Sequence, residues 1–145
     1  MNAKVVAVSI SKKKGEMKTP LQKGEVIENF GLKDDAHAGD WHRQVSLLMQ
    51  ESIDYMKTQG LPDLKPGNFA ENITTTGIEL YKLPVGTKLQ IGNDVILEIT
   101  QIGKECHTGC AIFQKVGKCI MPKQGIFTRV LKGGFIQSGH EIKIL

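Results

Sequence analysis

The sequence predicts a mainly β protein: a barrel-like sheet with one or two short helices. Three observations carry that class. Short apolar segments alternate at period two, the repeat of a half-buried strand. Sixteen glycines are spread along 145 residues, enough to supply many sharp bends. And "TKLQI" (87–91) and "VILEIT" (95–100) flank Gly92-Asn93-Asp94, a strong hairpin signal because Gly and Asn tolerate positive φ.

In chain order, "KVVAVSI" (4–10) is the first strand, ended by Lys12-Lys13-Lys14 beside Gly15. That basic run reads as a solvated tip. "RQVSLL" (43–48) is the second strand. "MQESIDYMKTQG" (49–60) suits a helix, with Ile53 and Met56 on one face and Gly60 as its stop. The hairpin follows. "CAIFQKVG" (110–117) sets Ile112, Phe113 and Val116 at helical spacing, a second short helix. "GIFTRVLKGG" and "HEIKIL" are expected to form the last pair, bending near Gly133-Gly134. "VGTKLQI" and "SGHEIKI" share one pattern, in which Gly precedes two polar residues and then alternation resumes. Both read as turn-to-strand entries in a barrel, where Gly absorbs the bend. No low-complexity linker divides residues 1–145, so one domain is expected.

Hydrophobic residues make up 40% and charged residues 23%, as in folded globular chains. The formal charge of +4 suits an anionic small molecule and is too mild to argue for nucleic acid. The N-terminal apolar stretch, about six residues, is too short for a signal-peptide core. No segment approaches the roughly twenty apolar residues of a membrane span. A cytoplasmic protein is the expectation. Three cysteines then imply reduced thiols rather than a disulfide framework.

All three thiols lie in "GKECHTGCAIFQKVGKC" (103–119), spaced Cys-x3-Cys-x8-Cys. A Cys3His zinc site is possible by count, but Cys106 and His107 are adjacent and their side chains diverge unless the backbone turns. An iron–sulfur cluster typically wants four cysteines. Cys110 and Cys119 sit among apolar neighbours and read as small buried hydrophobes. Cys106 differs. It follows a strand end, Lys104 and His107 flank it, and a helix start follows, all of which favour the thiolate. Glu105 opposes them. Cys106 is therefore a candidate sulfur nucleophile and a candidate soft-metal ligand.

Two other stretches are dense in polar groups. "GLKDDAHAGDWHRQVSLL" (31–48) reads either as a polar loop before a buried strand or as a ligand-facing loop. In the second case Arg43 can fork onto a phosphate and His37 can exchange a proton. "PGNFAENITTTGIEL" (66–80) is either a wide turn with a strand start or a loop whose N–H groups and hydroxyls meet an anion, with Asn72 and Thr75 as its pocket polars. Lys123 and Arg129 are either surface charges or the wall of an anion pocket.

Taken in order, these segments resemble the MOSC family, the domain at the C-terminus of molybdenum-cofactor sulfurases. The resemblance rests on "GLKDDAHAGDWHRQVSLL", then "GNFAENITTTGIELYKLPVGTKLQIGNDVILEITQ", then a cysteine after a Thr-Gln strand end. The C-terminal stretch "CIMPKQGIFTRVLKGGFIQSGHEI" is similar to the small stand-alone bacterial members. Many relatives carry Arg-x-Pro-Cys, whereas Gly103 and Glu105 hold those places here.

The resemblance implies a β-barrel-like fold and a role with molybdopterin. Its cysteine falls on Cys106, to carry sulfur as a persulfide or to ligate molybdenum. By residue chemistry rather than by the likeness, Arg43, Lys123 and Arg129 are the candidate phosphate contacts, and His37, Asn72 and Thr75 the candidate pocket polars. The chain is too short to hold a pyridoxal-phosphate desulfurase domain, so a cysteine desulfurase, or another partner in cofactor synthesis or molybdoenzyme assembly, must supply sulfur. Two further functions fit the same likeness: a molybdenum-dependent reductase of N-hydroxylated compounds, and a non-catalytic module docking onto cofactor-synthesis enzymes.

Overall fold

The computed structural model describes residues 3–14, 16–103 and 124–145. The chain closes a seven-stranded β-barrel, in agreement with the sequence reading. Its staves are β1 (Ala3–Ile10), β5 (Val45–Met49), β6 (Ile73–Thr76), β7 (Lys88–Ile91), β8 (Val95–Ile102), β9 (Ile126–Lys132) and β11 (Glu141–Ile144). Around the barrel they run β11-β7-β8-β9-β5-β6-β1, and β1 pairs back to β11 through Ala3 and Ile142. A short strand β2 (Thr19–Leu21) extends β1, with Pro20 on a free sheet edge where no N–H is needed. A separate three-stranded sheet joins β3 (Gly24–Ile27), β4 (Gly31–Leu32) and β10 (Gly134–Ile136).

Alternation decides which residues fill the barrel. Val95, Leu97 and Ile99 of β8 point inward and are fully buried, while Ile96, Glu98 and Thr100 between them are only partly covered. β5 departs from alternation, and every residue of it is buried. Val45 and Leu47 belong to the interior cluster, while Leu48 packs outside with Ile53, Met56, Leu61, Leu64, Phe69 and Phe127. Helix α1 (Gln50–Thr58) supplies Ile53 and Met56 to that outer cluster, so the strand is covered on both faces. The same helix lies in the connection from β5 to β6, whose parallel pairing requires a long crossover.

The echoed stretches of the sequence become neighbours. β7 and β11 pair with each other, with Ile91 opposite Ile142 and Leu89 opposite Ile144. The glycine that starts each repeat takes positive φ: 97° at Gly86 and 93° at Gly139. Each also donates its N–H to a barrel strand carbonyl, of Ile99 and Val5 respectively. The expected pairing of "GIFTRVLKGG" with "HEIKIL" does not form. β9 pairs with β5 and β8, and β10 intervenes and bonds to β3, because Gly133-Gly134 turns the chain into the second sheet instead of back on itself. The expected helix over 110–117 lies outside the described residues. No helix among the described residues is long and apolar enough to cross a membrane.

Candidate functional site

The chain between β8 and β9 leaves and re-enters the barrel through a backbone clamp. Gly103 N–H donates to the Gly125 carbonyl at 2.6 Å. The segment so bracketed holds Cys106, Cys110, Cys119 and Lys123, which lie outside the described residues. Its base is described in full, and there the sequence-predicted loop meets the strand end.

β8 carries a bulge between Ile99 and Gln101. Bulges re-aim side chains, and here both following residues turn to the 42–43 loop. Thr100 Oγ1 donates to the carbonyls of His42 and Phe127. Gln101 Oε1 accepts from Arg43 Nε at 3.0 Å and lies 3.0 Å from His42 Nε2. Its amide nitrogen donates to the Gly103 carbonyl at 2.7 Å. One glutamine thus ties two cationic-type side chains to the first residue of the clamp. The Arg43 guanidinium lies 5.0 Å from the centre of the Phe127 ring. Its terminal nitrogens make no hydrogen bond among the described residues, which leaves the fork that matches a phosphate edge.

The other predicted residues distribute elsewhere. Arg129 donates from Nη2 to Asn29 Oδ1 at 3.2 Å. Asn72 is fully buried: its Oδ1 accepts from Ser46 N–H at 3.0 Å, and its Nδ2 donates to the Ser9 carbonyl at 3.1 Å. It laces β1 to β5. Thr75 is also fully buried, opposite Val5, and its hydroxyl has no hydrogen-bond partner among the described residues.

The 66–80 loop does cradle an anion, and the anion is the chain's own. Glu71, 0% exposed, accepts from Gly67 N–H at 2.8 Å, Phe69 N–H at 3.1 Å and Thr74 Oγ1 at 2.8 Å. Burial pushes its carboxyl above the usual 4.5, and these donors oppose the shift. The loop glycine cannot be replaced, since a Cβ on Gly67 would meet the Lys18 carbonyl oxygen at 2.2 Å.

His37 belongs to a second buried constellation. Lys18 Nζ lies 2.7 Å from Asp35 Oδ1, 3.1 Å from Ser11 Oγ and 2.9 Å from His37 Nδ1. Both charged side chains of the pair have 0% exposure. Asp35 also accepts the N–H groups of Ser11 and His37, and Trp41 Nε1 donates to the His37 carbonyl. This set fixes the course of the 34–43 loop that delivers Arg43 to Gln101. Lys18 carries no motif in the sequence and is invisible there as a partner. Gln101 is half visible, as the Gln of the Thr-Gln strand end.

A cavity of about 570 Å³ is lined by Glu51, Ser52, Tyr55, Glu79, Tyr81 and Gln124 among others. Its described lining includes two carboxylates, Glu51 and Glu79, and no cation among the described residues. No group of three or more metal-ligating side chains occurs among the described residues.

Comparison with known proteins agrees with this architecture. The structure is similar to that of the YuaD protein of Bacillus subtilis, with a TM-score of 0.83 at 18% identity over 99% of this chain and 96% of that one. It is similar also to YiiM from Geobacillus stearothermophilus, with a TM-score of 0.75 at 20% identity over 99% of this chain and 75% of that one. For YiiM from Escherichia coli the TM-score is 0.66 at 15% identity, covering 98% and 69%. No curated protein sequence matches the chain. At these identities the likeness concerns the fold. The family model for the MOSC domain matches residues 34–143, from the polar loop through the last strand, and the chain belongs to the MOSC domain family.

Proposed function

We propose that this chain holds the phosphate-bearing pterin of the molybdenum cofactor at the base of the 104–123 segment and carries sulfur on Cys106. Its family is associated with that cofactor in general. The observation that supports the finer reading most is the Gln101 bridge, which sets Arg43 and His42 beside Gly103, three residues before Cys106. The donor set fits the anionic end of such a cofactor: among the described residues the two terminal nitrogens of Arg43 make no hydrogen bond and form a planar fork, and His42 is exposed beside it. A bound molybdenum would take Cys106 as a protein ligand, as the family likeness implies, because a soft thiolate suits a soft metal. When bound, the cofactor supplies a redox metal and a site for sulfur. The chain's own contribution is to orient the phosphate and to present a thiolate.

The sulfur step balances without an external oxidant. The Cys106 thiolate attacks the terminal sulfur of a desulfurase persulfide. The S–S bond of the donor breaks, its cysteine leaves as a thiolate, and Cys106 retains the S–SH group with its proton. Cationic neighbours favour the attacking thiolate. Incubation with a cysteine desulfurase and cysteine should add roughly 32 Da to the peptide carrying Cys106, with the Cys110 and Cys119 positions unmodified. An unmodified Cys106 beside a persulfidated desulfurase contradicts the carrier role. The reductase and docking readings remain distinct outcomes, the first by molybdenum bound in stoichiometric amount, the second by partners captured equally by a Cys106→Ser chain.

A further inference from the structure

His37 is held from one side by an ammonium. Lysine nitrogen is a donor only, with three hydrogens and no lone pair when charged. Lys18 Nζ lies near Asp35 Oδ1, Ser11 Oγ and His37 Nδ1, at 2.7, 3.1 and 2.9 Å. The Asp35 partner keeps the lysine charged, because both side chains have 0% exposure and neither charge is tolerable alone. Ser11 meets the lysine with its oxygen lone pair, since its hydroxyl hydrogen goes to the Lys13 carbonyl at 3.0 Å. His37 Nδ1 must then present its lone pair, and the ring hydrogen sits on Nε2.

We infer that Lys18 is a positioning residue that locks His37 as the neutral Nε2–H tautomer, so that whatever group Nε2 meets must accept a hydrogen bond. His37 is thereby a fixed donor, suited to a phosphate or carbonyl oxygen, and is withdrawn from proton transfer. A second proton would have to enter at Nδ1, setting an imidazolium N–H against an ammonium. That arrangement is both a donor–donor clash and a like-charge contact. Asp35 bonds the His37 backbone N–H, Trp41 bonds its carbonyl, Lys14 lies over the Trp41 ring, and Asp34 and Asp40 are exposed on the same loop. The lock stands on geometry alone. That the donor serves a cofactor oxygen rests on the reading above.

Side-chain 15N spectra of the full labelled chain test this, with the His37 signals assigned through His37→Gln. The expected result is a single Nε2–H tautomer near neutral pH, with no second proton taken as the solution is acidified to about pH 5.5, where an unperturbed imidazole is mostly charged. In Lys18→Met/Asp35→Asn, which removes both charges together, His37 should show both tautomers and titrate as an ordinary histidine. An Nδ1–H or doubly protonated His37 in the wild type overturns the inference, and so does a folded double variant with an unchanged His37 spectrum. If the double variant does not fold, the wild-type spectrum decides alone. A wild-type chain that shows the locked tautomer yet binds no phosphate-bearing pterin keeps the inference and loses the cofactor reading.

Discussion

Asp35→Ala should lower the unfolding free energy by about 3–5 kcal/mol, because it strands the Lys18 ammonium in the interior. Lys18 and Asp35 are 2.7 Å apart with no side-chain exposure, so water cannot replace the lost carboxylate. The substitution also removes the acceptor for the Ser11 and His37 N–H groups. A domain of this size holds only about 5–15 kcal/mol in total, so a large share of its stability goes. Thermal or urea unfolding should show the loss, with a fall in melting temperature of about 10 °C. Lys18→Met/Asp35→Asn should recover much of it, since removing both charges together avoids the buried lone ion. A single Asp35→Ala variant as stable as the wild type would mean that the pair is solvated and holds nothing in place.

Glu71→Ala should cost about 2–4 kcal/mol, since two backbone N–H groups and one hydroxyl lose their acceptor where water does not reach. The lost contacts are those of Gly67, Phe69 and Thr74, and all converge on a residue with 0% exposure. Relief from burying a carboxylate offsets part of that cost. The pH dependence has a definite sign. The Glu71 carboxyl is raised above the usual 4.5, chiefly by burial, so the folded chain binds its proton more tightly than the unfolded chain does. Between the ordinary value and the raised one, the folded state holds more proton, and stability rises as pH falls through that window. Glu71→Gln does not titrate there. The wild type should therefore gain stability relative to Glu71→Gln as the solution is acidified towards the ordinary carboxylate range. A difference that stays flat or shrinks on acidification would show that the internal donors, not burial, dominate this carboxylate.

Much of the barrel was legible because its signals are local. Period two marked β8, the Gly-Asn-Asp turn marked the hairpin before it, and the repeated glycine entry marked Gly86 and Gly139. What escaped was set by long-range pairing. β2, β3 and β4 are two to four residues long, too short to show a period. The assignment of β9 to β5 and β8 depended on where the second sheet would take β10, which no local pattern encodes. The site divided in the same way. Arg43 and His37 stood out as polar residues crowded before a strand. Asn72 stood out for the same reason, yet it faces Ser46 and Ser9 inside the wall, because polarity in a sequence does not say which way a side chain points. Lys18 was invisible, since its partners lie 17 and 19 positions away.

The most direct measurement is the affinity of the purified chain for the phosphate-bearing pterin, wild type against Arg43→Ala, with melting temperatures recorded for both. A forked contact between a guanidinium and a phosphate is worth roughly 1.5–3 kcal/mol, so affinity should fall about tenfold to a hundredfold in a variant that melts like the wild type. Arg43→Lys should recover only part, because it keeps the charge and loses the fork. Equal binding by wild type and a stably folded Arg43→Ala would place the phosphate elsewhere and contradict the proposed site at the base of the 104–123 segment.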